Sequence, residues 1–237
     1  MAPPAEPSTR PVAAQAADAS THADETRRRA AERDAARADL ARFIAACYYE
    51  PGPEFAEERL FDSMRAAAAR VDPALEALAQ RLGEAFAAAP LQELSVDHAR
   101  LFLGPGPARA RPYASVWLTG ENRLMEAPAL EVRQLYAEAG FELDASFLEL
   151  PDHVAAELEF FYLLIHRANV AHYASDAQAQ AEVAALRRRF VDEHLGRWLG
   201  PFLLAMHEGA ETVFYETLAE LTEAFVRREA AGPPGEG

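Results

Sequence analysis

An ionisable pair, His153 and Glu157, stands at the beginning of a long apolar run, directly after Pro151 and Asp152. Residues four positions apart are neighbours on one face of an α-helix, so the imidazole and the carboxylate should lie side by side. Two roles are open to this pair. With Asp152 it could ligate a divalent ion in a helical metal-dependent enzyme. Alternatively it is structural, with Glu157 accepting hydrogen bonds from an arginine or backbone amides and His153 closing the first helical turn.

The rest of the sequence gives the metal hypothesis little support. The spacing His-x-x-x-Glu differs from the Glu-x-x-His of di-iron bundles and from the His-Glu-x-x-His of zinc proteases. Cys47 is the only cysteine, which excludes an intrachain disulfide and a cysteine zinc cluster. The segment Gly104–Pro107 lacks the lysine and the hydroxyl residue of a phosphate-binding loop. We therefore expect no catalytic residue, no metal site and no cofactor.

The helix that carries the pair is predicted to run from Pro151 to about Tyr173. Proline suits a first helical position, whose amide has no intrahelical partner. Asp152 would then lie in the first turn, where the helix dipole favours a negative charge. Apolar residues recur at steps of four, three and four, at Val154, Leu158, Phe161 and Ile165. Such a stripe, widened by further apolar neighbours, predicts a helix that is buried on most of its sides.

Helical periodicity continues over nearly the whole chain and predicts an all-α fold, a single globular bundle of roughly eight to ten helices. A short extended piece at 116–118 is the exception. The loop Gly104–Ser115 is long, rich in proline and glycine and not helical, and a stiff loop of this kind is often functional. We divide the chain into a disordered Ala/Pro/Arg-rich tail at 1–35 that becomes helical towards its end, an all-helical domain at 36–230 and a flexible tail at 231–237.

Charge and hydropathy argue against several classes of partner. The formal net charge of −15 argues against a nucleic-acid binder, which needs a basic face, and is compatible with a cationic partner. No apolar run reaches the roughly 18 to 20 residues of a membrane span. The sequence Thr26-Arg27-Arg28-Arg29 resembles a twin-arginine export signal, but charged residues follow it instead of an apolar segment. We therefore expect a cytoplasmic protein without stable membrane insertion.

Four separated stretches resemble the signature of the TorD/DmsD/NarJ family of cytoplasmic redox-enzyme maturation chaperones. The run Pro-Asp-His-x-x-x-Glu-Leu at the start of the predicted motif helix is the most informative of them. His98 stands where the family usually has an aromatic residue, and Arg111 replaces the first proline of a Pro-Pro-Tyr-x-Ser motif. The resemblance covers about residues 37–227. The four stretches are Asp97–Pro105, Arg111–Trp117, Leu150–Leu158 and His194–Trp198.

The resemblance implies a molecular chaperone without catalytic activity. It would bind the twin-arginine signal peptide, the apo form of a molybdenum-cofactor oxidoreductase catalytic subunit, or both, assisting cofactor insertion and proofreading before export. A leader with two guanidinium groups and an apolar, helix-prone segment needs a hydrophobic groove with carboxylates at its rim. The residues predicted to bind this client are Leu101, Phe102, Pro112, Tyr113, Ser115, Trp117, Asp152, His153 and Glu157.

Several alternatives stay open at the level of the sequence. Val116 is a further groove candidate, and Glu121, Glu126 and Glu149 are further rim candidates. For the apolar pair at 101–102, plain core packing is an equal interpretation. An acidic scaffold that binds another folded protein is a third function beside the chaperone and the metal-dependent enzyme. The chain is either a monomer or a dimer.

Overall fold

The computed structural model describes residues 12–104, 108–120, 127–143 and 149–231, with side-chain surroundings from residue 22 onward. Within these ranges the chain is helical and has no strand, which confirms the predicted all-α class. The helices are α1 (Val12–Ala46), α2 (Glu54–Glu57), α3 (Leu60–Val71), α4 (Pro73–Ala88), α5 (Leu91–His98), α6 (Ala114–Thr119), α7 (Ala127–Glu138), α8 (Val154–Tyr173), α9 (Ala177–Arg188), α10 (Gly196–Gly209) and α11 (Val213–Ala230). None of these described helices is long and apolar enough to cross a membrane.

Helix α8 lies at the centre of the bundle. Its predicted apolar stripe is fully buried, at Val154, Leu158, Phe161 and Ile165. Helix α1 packs along α8 in the antiparallel direction. At one end the hydroxyl of Tyr173 donates to Asp34 Oδ2 at 2.7 Å, and at the other the hydroxyl of Tyr49 donates to Glu159 Oε1 at 2.9 Å. Helix α11 packs against α4 and α10 and completes the core.

Three local assignments differ from the prediction. In the tail, which was predicted to become helical only towards its end, α1 already begins at Val12, because alanine and arginine are strong helix formers even where no core is available. The piece at 116–118, predicted to be extended, lies in α6, whose first turn is capped from another part of the chain. Helix α8 begins at Val154 and not at Pro151, because His153 is its N-cap residue.

Parts of the predicted tails and loop lie outside the described residues, namely 1–11, 105–107 and 232–237. The boundaries of the three predicted segments therefore stay predictions. Within the described part of the loop, Ala114 and Ser115 already belong to α6, so the non-helical stretch is shorter than predicted.

Two π-helical turns, Ala99–Leu103 and Arg189–Leu195, extend α5 and α9. A π turn adds a residue to the helical repeat and so changes which side chains face the core. The second turn meets α10 at Gly196, where an added Cβ would lie 2.6 Å from the carbonyl oxygen of Val191. Gly200, one turn later in α10, has no heavy atom within 4 Å of such a Cβ. The junction therefore requires glycine at the first position and not at the second.

We expect Gly196→Ala to lower the free energy of unfolding by about 1–3 kcal/mol, because the added methyl group displaces the backbone of the π turn. Gly200→Ala is the matched control in the same helix. It should be neutral or stabilise the protein by up to about 1 kcal/mol, because alanine is the better helix former. Urea unfolding followed by circular dichroism measures both, and equal stability of the two variants would contradict the packing at the junction.

Candidate functional site

A short antiparallel bridge between Tyr113 and His153 joins the proline-rich loop to the start of α8. The amide of Ala114 donates to the carbonyl oxygen of Asp152 at 3.0 Å, and the amide of Val154 closes the bridge from the other side at 2.8 Å. Two of the four family-like stretches are thereby in direct contact, although they are far apart in the sequence. The bridge is the frame on which the candidate site is built.

Asp152, which the sequence predicts to bind the client as a carboxylate at the rim of the groove, lies in the interior instead. Its side chain is fully buried, so it is not a rim carboxylate in this structure. Its Oδ2 accepts hydrogen bonds from the hydroxyl of Ser115 and from the Ser115 amide, the latter at 2.9 Å. Ser115 is the second residue of α6, where backbone amides lack helical partners, so Asp152 caps α6 from another element. Its Oδ1 has no hydrogen-bond partner among the described residues.

His153 caps its own helix and separates two tyrosine rings. Its Nδ1 accepts a hydrogen bond from the amide of Ala155 at 3.1 Å, so the residue closes the first turn as the structural interpretation expects. The ring stacks on Tyr49 with 6.3 Å between centroids and meets Tyr113 edge-on at 5.2 Å. Burial, and to a smaller extent the charge of His98, lowers the pKa of His153 to about 3. The imidazole is therefore neutral near pH 7.

Tyr49 and Tyr113 each bind a carboxylate through their hydroxyl group. Tyr113 Oη donates to Glu149 Oε2 at 2.6 Å, and Tyr49 Oη donates to Glu159 Oε1 at 2.9 Å. All four side chains are half-buried, and we call them the tyrosine–glutamate surface. Within the described ranges, neither carboxylate has an arginine partner. Among the described residues, the surface therefore presents two negative charges beside aromatic rings without a compensating arginine.

The electrostatics of this surface follow from partial burial. Burial raises the pKa of the Tyr113 hydroxyl, and the hydrogen bond and charge of Glu149 raise it further. Burial, followed by the charge of Glu159, raises the pKa of Tyr49 in the same way. Burial also raises the pKa of Glu159, although the hydrogen bond from Tyr49 lowers it. A positive charge placed here would stabilise both carboxylates.

Glu157 lies in the interior and connects α8 to the π turn Arg189–Leu195 and to α10. It accepts hydrogen bonds from His194 Nε2 at 2.7 Å and from Trp198 Nε1 at 3.0 Å. These donors take the place of the arginine or amides that the structural interpretation expected. Burial raises the pKa of Glu157. Burial lowers the pKa of His194, but the charge and the hydrogen bond of Glu157, with smaller contributions from Glu131 and Asp152, raise it above its ordinary value. Both directions favour retention of one proton within the pair.

Most of the remaining predicted client residues belong to the core. Leu101, Phe102, Pro112 and Ser115 are buried. The ring of Phe102 packs against Tyr48, at 6.2 Å between centroids. Core packing is therefore the interpretation that the structure supports for the apolar pair at 101–102.

Three groove candidates reach the surface: Tyr113, Val116 and Trp117 are half-buried. The indole Nε1 of Trp117 donates to the carbonyl oxygen of Arg111 at 2.8 Å, and its ring meets Phe202 edge-on at 6.2 Å. The aromatic side of α6 is thus held beside the bridge. Of the predicted rim residues, Glu149 belongs to the tyrosine–glutamate surface, whereas Glu121 and Glu126 lie outside the described residues.

The metal hypothesis finds no support in the geometry. His153 faces two tyrosine rings, whereas Glu157 faces His194 and Trp198. Within the described ranges, no three His, Cys, Asp or Glu side chains are grouped so that they could hold an ion. His153 and Glu157 are close in sequence at the start of α8, but their side chains have different partners and do not form one site.

The sequence did not predict a role for Tyr49 or Glu159, nor the pairing of His194 with Glu157. Tyr49 follows the end of α1 and carries no motif, so no sequence signal was available for it. His194 and Trp198 are four residues apart, a spacing that predicts two donors on one helix face. That spacing was the available signal for a shared buried acceptor.

Comparison with known proteins establishes the family. Residues 66–203 match the family described as "Nitrate reductase delta subunit", to which TorD-like and NarJ-like proteins belong. This match spans more than half of the chain. The chain belongs to this family, and the resemblance inferred from the four stretches is confirmed.

Curated relatives are named as chaperones. The chaperone protein TorD of Vibrio parahaemolyticus is 32% identical over 145 residues, which cover 61% of this chain and 66% of that protein, just under two thirds of its length. The TorD protein of Aliivibrio fischeri is 29% identical over 181 residues, covering 76% of this chain and 83% of the relative. These names support the predicted class, a chaperone and not an enzyme.

A solved structure supports the fold. A protein from Archaeoglobus fulgidus, assigned as a redox enzyme maturation protein, superimposes with a TM-score of 0.50 and 20% sequence identity. The superposition covers 82% of this chain and 93% of that one. The helical bundle is therefore shared by a protein whose sequence has diverged widely.

We expect Glu157→Ala to lower the free energy of unfolding by about 3–5 kcal/mol, because it leaves the buried donors of His194 and Trp198 without an acceptor. Glu131→Ala, at an exposed position of α7, is the control and should change stability by less than about 0.5 kcal/mol. Chemical denaturation at pH 7 compares the two variants. A loss below about 1 kcal/mol for Glu157→Ala would contradict the structural role.

Acid should destabilise the fold through His153. Below about pH 6.5 the unfolded chain takes up a proton on this residue, whereas the folded chain does so only near pH 3. The unfolded state therefore binds more protons in this window, and stability falls as the pH falls. His153→Asn keeps an N-cap acceptor but removes the titration. Between pH 6.5 and 5.0 the wild type should lose roughly 1.5 kcal/mol more than the variant in urea titrations. Equal losses would show that His153 accepts a proton in the folded protein.

Proposed function

We propose that this protein is a cytoplasmic maturation chaperone that binds the twin-arginine leader of an apo molybdenum-cofactor oxidoreductase at the tyrosine–glutamate surface. Binding would hold the client while its cofactor is inserted and before export. One observation carries the proposal. Two tyrosine–carboxylate pairs stand on either side of the His153 ring, on the bridge between two family-like stretches, and no described arginine pairs with them.

The chemistry of this surface matches the guanidinium group. Arginine stacks on aromatic rings and forms two parallel hydrogen bonds to one carboxylate. Tyr49 with Glu159 offers one ring and one carboxylate, and Tyr113 with Glu149 offers a second set. Two such sets fit two neighbouring arginines better than one, and the net charge of −15 would attract the leader from a distance.

Partial burial of the two carboxylates should strengthen their binding to a leader. Charges that are half-buried are screened by salt less than charges in open solvent. The raised pKa of Glu159 reports that burial disfavours its charge. A bound guanidinium would relieve that cost, so part of the binding free energy comes from the unfavourable state of the empty surface.

The apolar part of a leader needs a neighbouring hydrophobic surface. Val116 and Trp117 on α6 are half-buried beside the bridge and supply such a surface. The apolar segment of a leader can lie against them by the helix-in-groove mode. Asp152 caps the first turn of α6, and its Oδ1 has no hydrogen-bond partner among the described residues. We propose that Asp152 acts on the client by holding α6 in place.

We expect Glu149→Gln with Glu159→Gln to weaken leader binding by roughly tenfold or more, because two charge-assisted hydrogen bonds are replaced by neutral ones. Each glutamine keeps an acceptor for its tyrosine hydroxyl, so the fold should be preserved. The probe is a synthetic twin-arginine leader peptide of a molybdenum-cofactor oxidoreductase, and its affinity is measured by isothermal titration.

Two controls define the outcome. Glu84→Gln with Glu223→Gln removes the same charge from exposed positions elsewhere and should change the affinity less than threefold or so. A leader with both arginines replaced by lysine should also bind more weakly, because lysine neither stacks nor pairs bidentately. The proposal fails if no leader binds, or if both double variants bind the leader as the wild type does.

A further inference from the structure

The N-terminal part of α1 projects beyond the bundle. Helix α8, its antiparallel neighbour, ends at Tyr173, which contacts Asp34. Residues 22–29 precede this contact, and all of their side chains are exposed. A helix that is polar on every side has no core to pack against and can serve as a bridge to another molecule. We call residues 22–33 the arginine arm, because four of their side chains are arginines.

The base of the arm is firmly held. Arg37 forms a bidentate pair with Glu229 on α11, with both hydrogen bonds at 2.7 Å, and a third hydrogen bond to Asp34 at 3.1 Å. Arg187, at the end of α9, reaches the same Glu229 carboxylate at 3.2 Å. These buried ion pairs fix the direction of α1 where it leaves the bundle, so the arm continues outward along the helix axis.

Three consecutive arginines on the arm are available to a partner. The side chains of Arg27, Arg28 and Arg29 are 73–75% exposed. Their partners are acidic residues one turn away on the same helix, with distances such as 2.6 Å from Arg29 to Glu25. Exposed pairs of this kind contribute at most about 1 kcal/mol each. They can therefore be exchanged for carboxylates that are better shielded from water.

Such carboxylates lie on the tyrosine–glutamate surface. Glu149 and Glu159 are half-buried, and no described arginine pairs with them. The arm cannot reach this surface in its own chain while α1 is intact. Arg28 precedes Tyr49 by roughly 20 residues, most of them in α1, which places the two about 30 Å apart at 1.5 Å per helical residue. Only a second molecule can bring the two together.

We propose that the arginine arm of one copy docks on the tyrosine–glutamate surface of a second copy and competes there with the client. This inference rests on the surface described under Proposed function. Exchange of arms between two copies would close a symmetric dimer, and one-way docking would give longer assemblies. In either case self-association would cover the surface when no client is present. A leader with two arginines and an apolar segment makes additional contacts and displaces the arm.

The test uses the full-length chain with Arg27→Gln, Arg28→Gln and Arg29→Gln combined. Glutamine keeps the helix but removes the charges. The control combines Arg65→Gln, Arg70→Gln and Arg227→Gln, which removes three exposed arginines elsewhere. Sedimentation velocity over a range of protein concentrations measures self-association at low and at physiological salt. Titration with the synthetic leader measures client binding on the same samples.

We expect wild type and control to self-associate alike, and the arm variant to do so roughly tenfold more weakly. The combined Glu149→Gln and Glu159→Gln variant should lose self-association as well. At concentrations where the wild type is associated, the arm variant should bind the leader several-fold more tightly.

Two results would overturn the inference: a wild type that stays monomeric at all concentrations, or an association that the arm variant retains. Failure of the proposed function looks different. In that case no leader would bind, while association would still depend on the arm and on both glutamates.

Discussion

The candidate site depends on one buried carboxylate, that of Asp152. This carboxylate accepts hydrogen bonds from the amide and the hydroxyl of Ser115 and thereby caps α6. The backbone carbonyl of Asp152 accepts one of the two hydrogen bonds of the bridge to the loop. A short helix after a stiff loop has little stability of its own, because four of its amides have no helical partner. Asp152 supplies the missing acceptor from the start of α8. The position of Trp117 and of the Tyr113 ring therefore follows from a contact between elements distant in the sequence.

The family-like residues form two layers. The inner layer is structural: Asp152 caps α6, and Glu157 holds His194 and Trp198 in the core. The outer layer is thin and contains the rings and carboxylates that a partner can touch. His153 belongs to both, because its Nδ1 caps α8 while its ring spaces the two tyrosines. A motif whose residues are mostly buried can thus define a binding surface by positioning its neighbours.

Charge is distributed in a way that serves recognition. The chain is strongly acidic overall, and every basic residue other than histidine is an arginine. Several partly buried arginines pair with carboxylates of other elements, as Arg37 and Arg187 do with Glu229 and Arg228 does with Asp72. The carboxylates of the tyrosine–glutamate surface lack such a partner among the described residues. Both the client proposal and the arm proposal depend on this asymmetry: two half-buried carboxylates that are held by tyrosines and have no arginine partner among the described residues.

The sequence by itself determined the helical class, the apolar stripe of α8 and the family. These features depend on local periodicity, capping and short motifs, which act within a few residues of each other. The helical state of residues 12–35 also follows from local propensity, but their low hydrophobicity pointed to disorder. Glu149 was found as a rim candidate because charge and position in the chain were sufficient for it.

Only the tertiary structure decided which ionisable groups are buried and which face solvent. Asp152 and Glu149 lie three positions apart, yet one is fully buried and the other is half-buried, because Ser115 from another element covers the first. Tyr49 joined the site only because α1 and α8 run antiparallel and bring it beside Glu159. Burial and pairing between distant segments depend on packing, and no local pattern in the sequence contains that information.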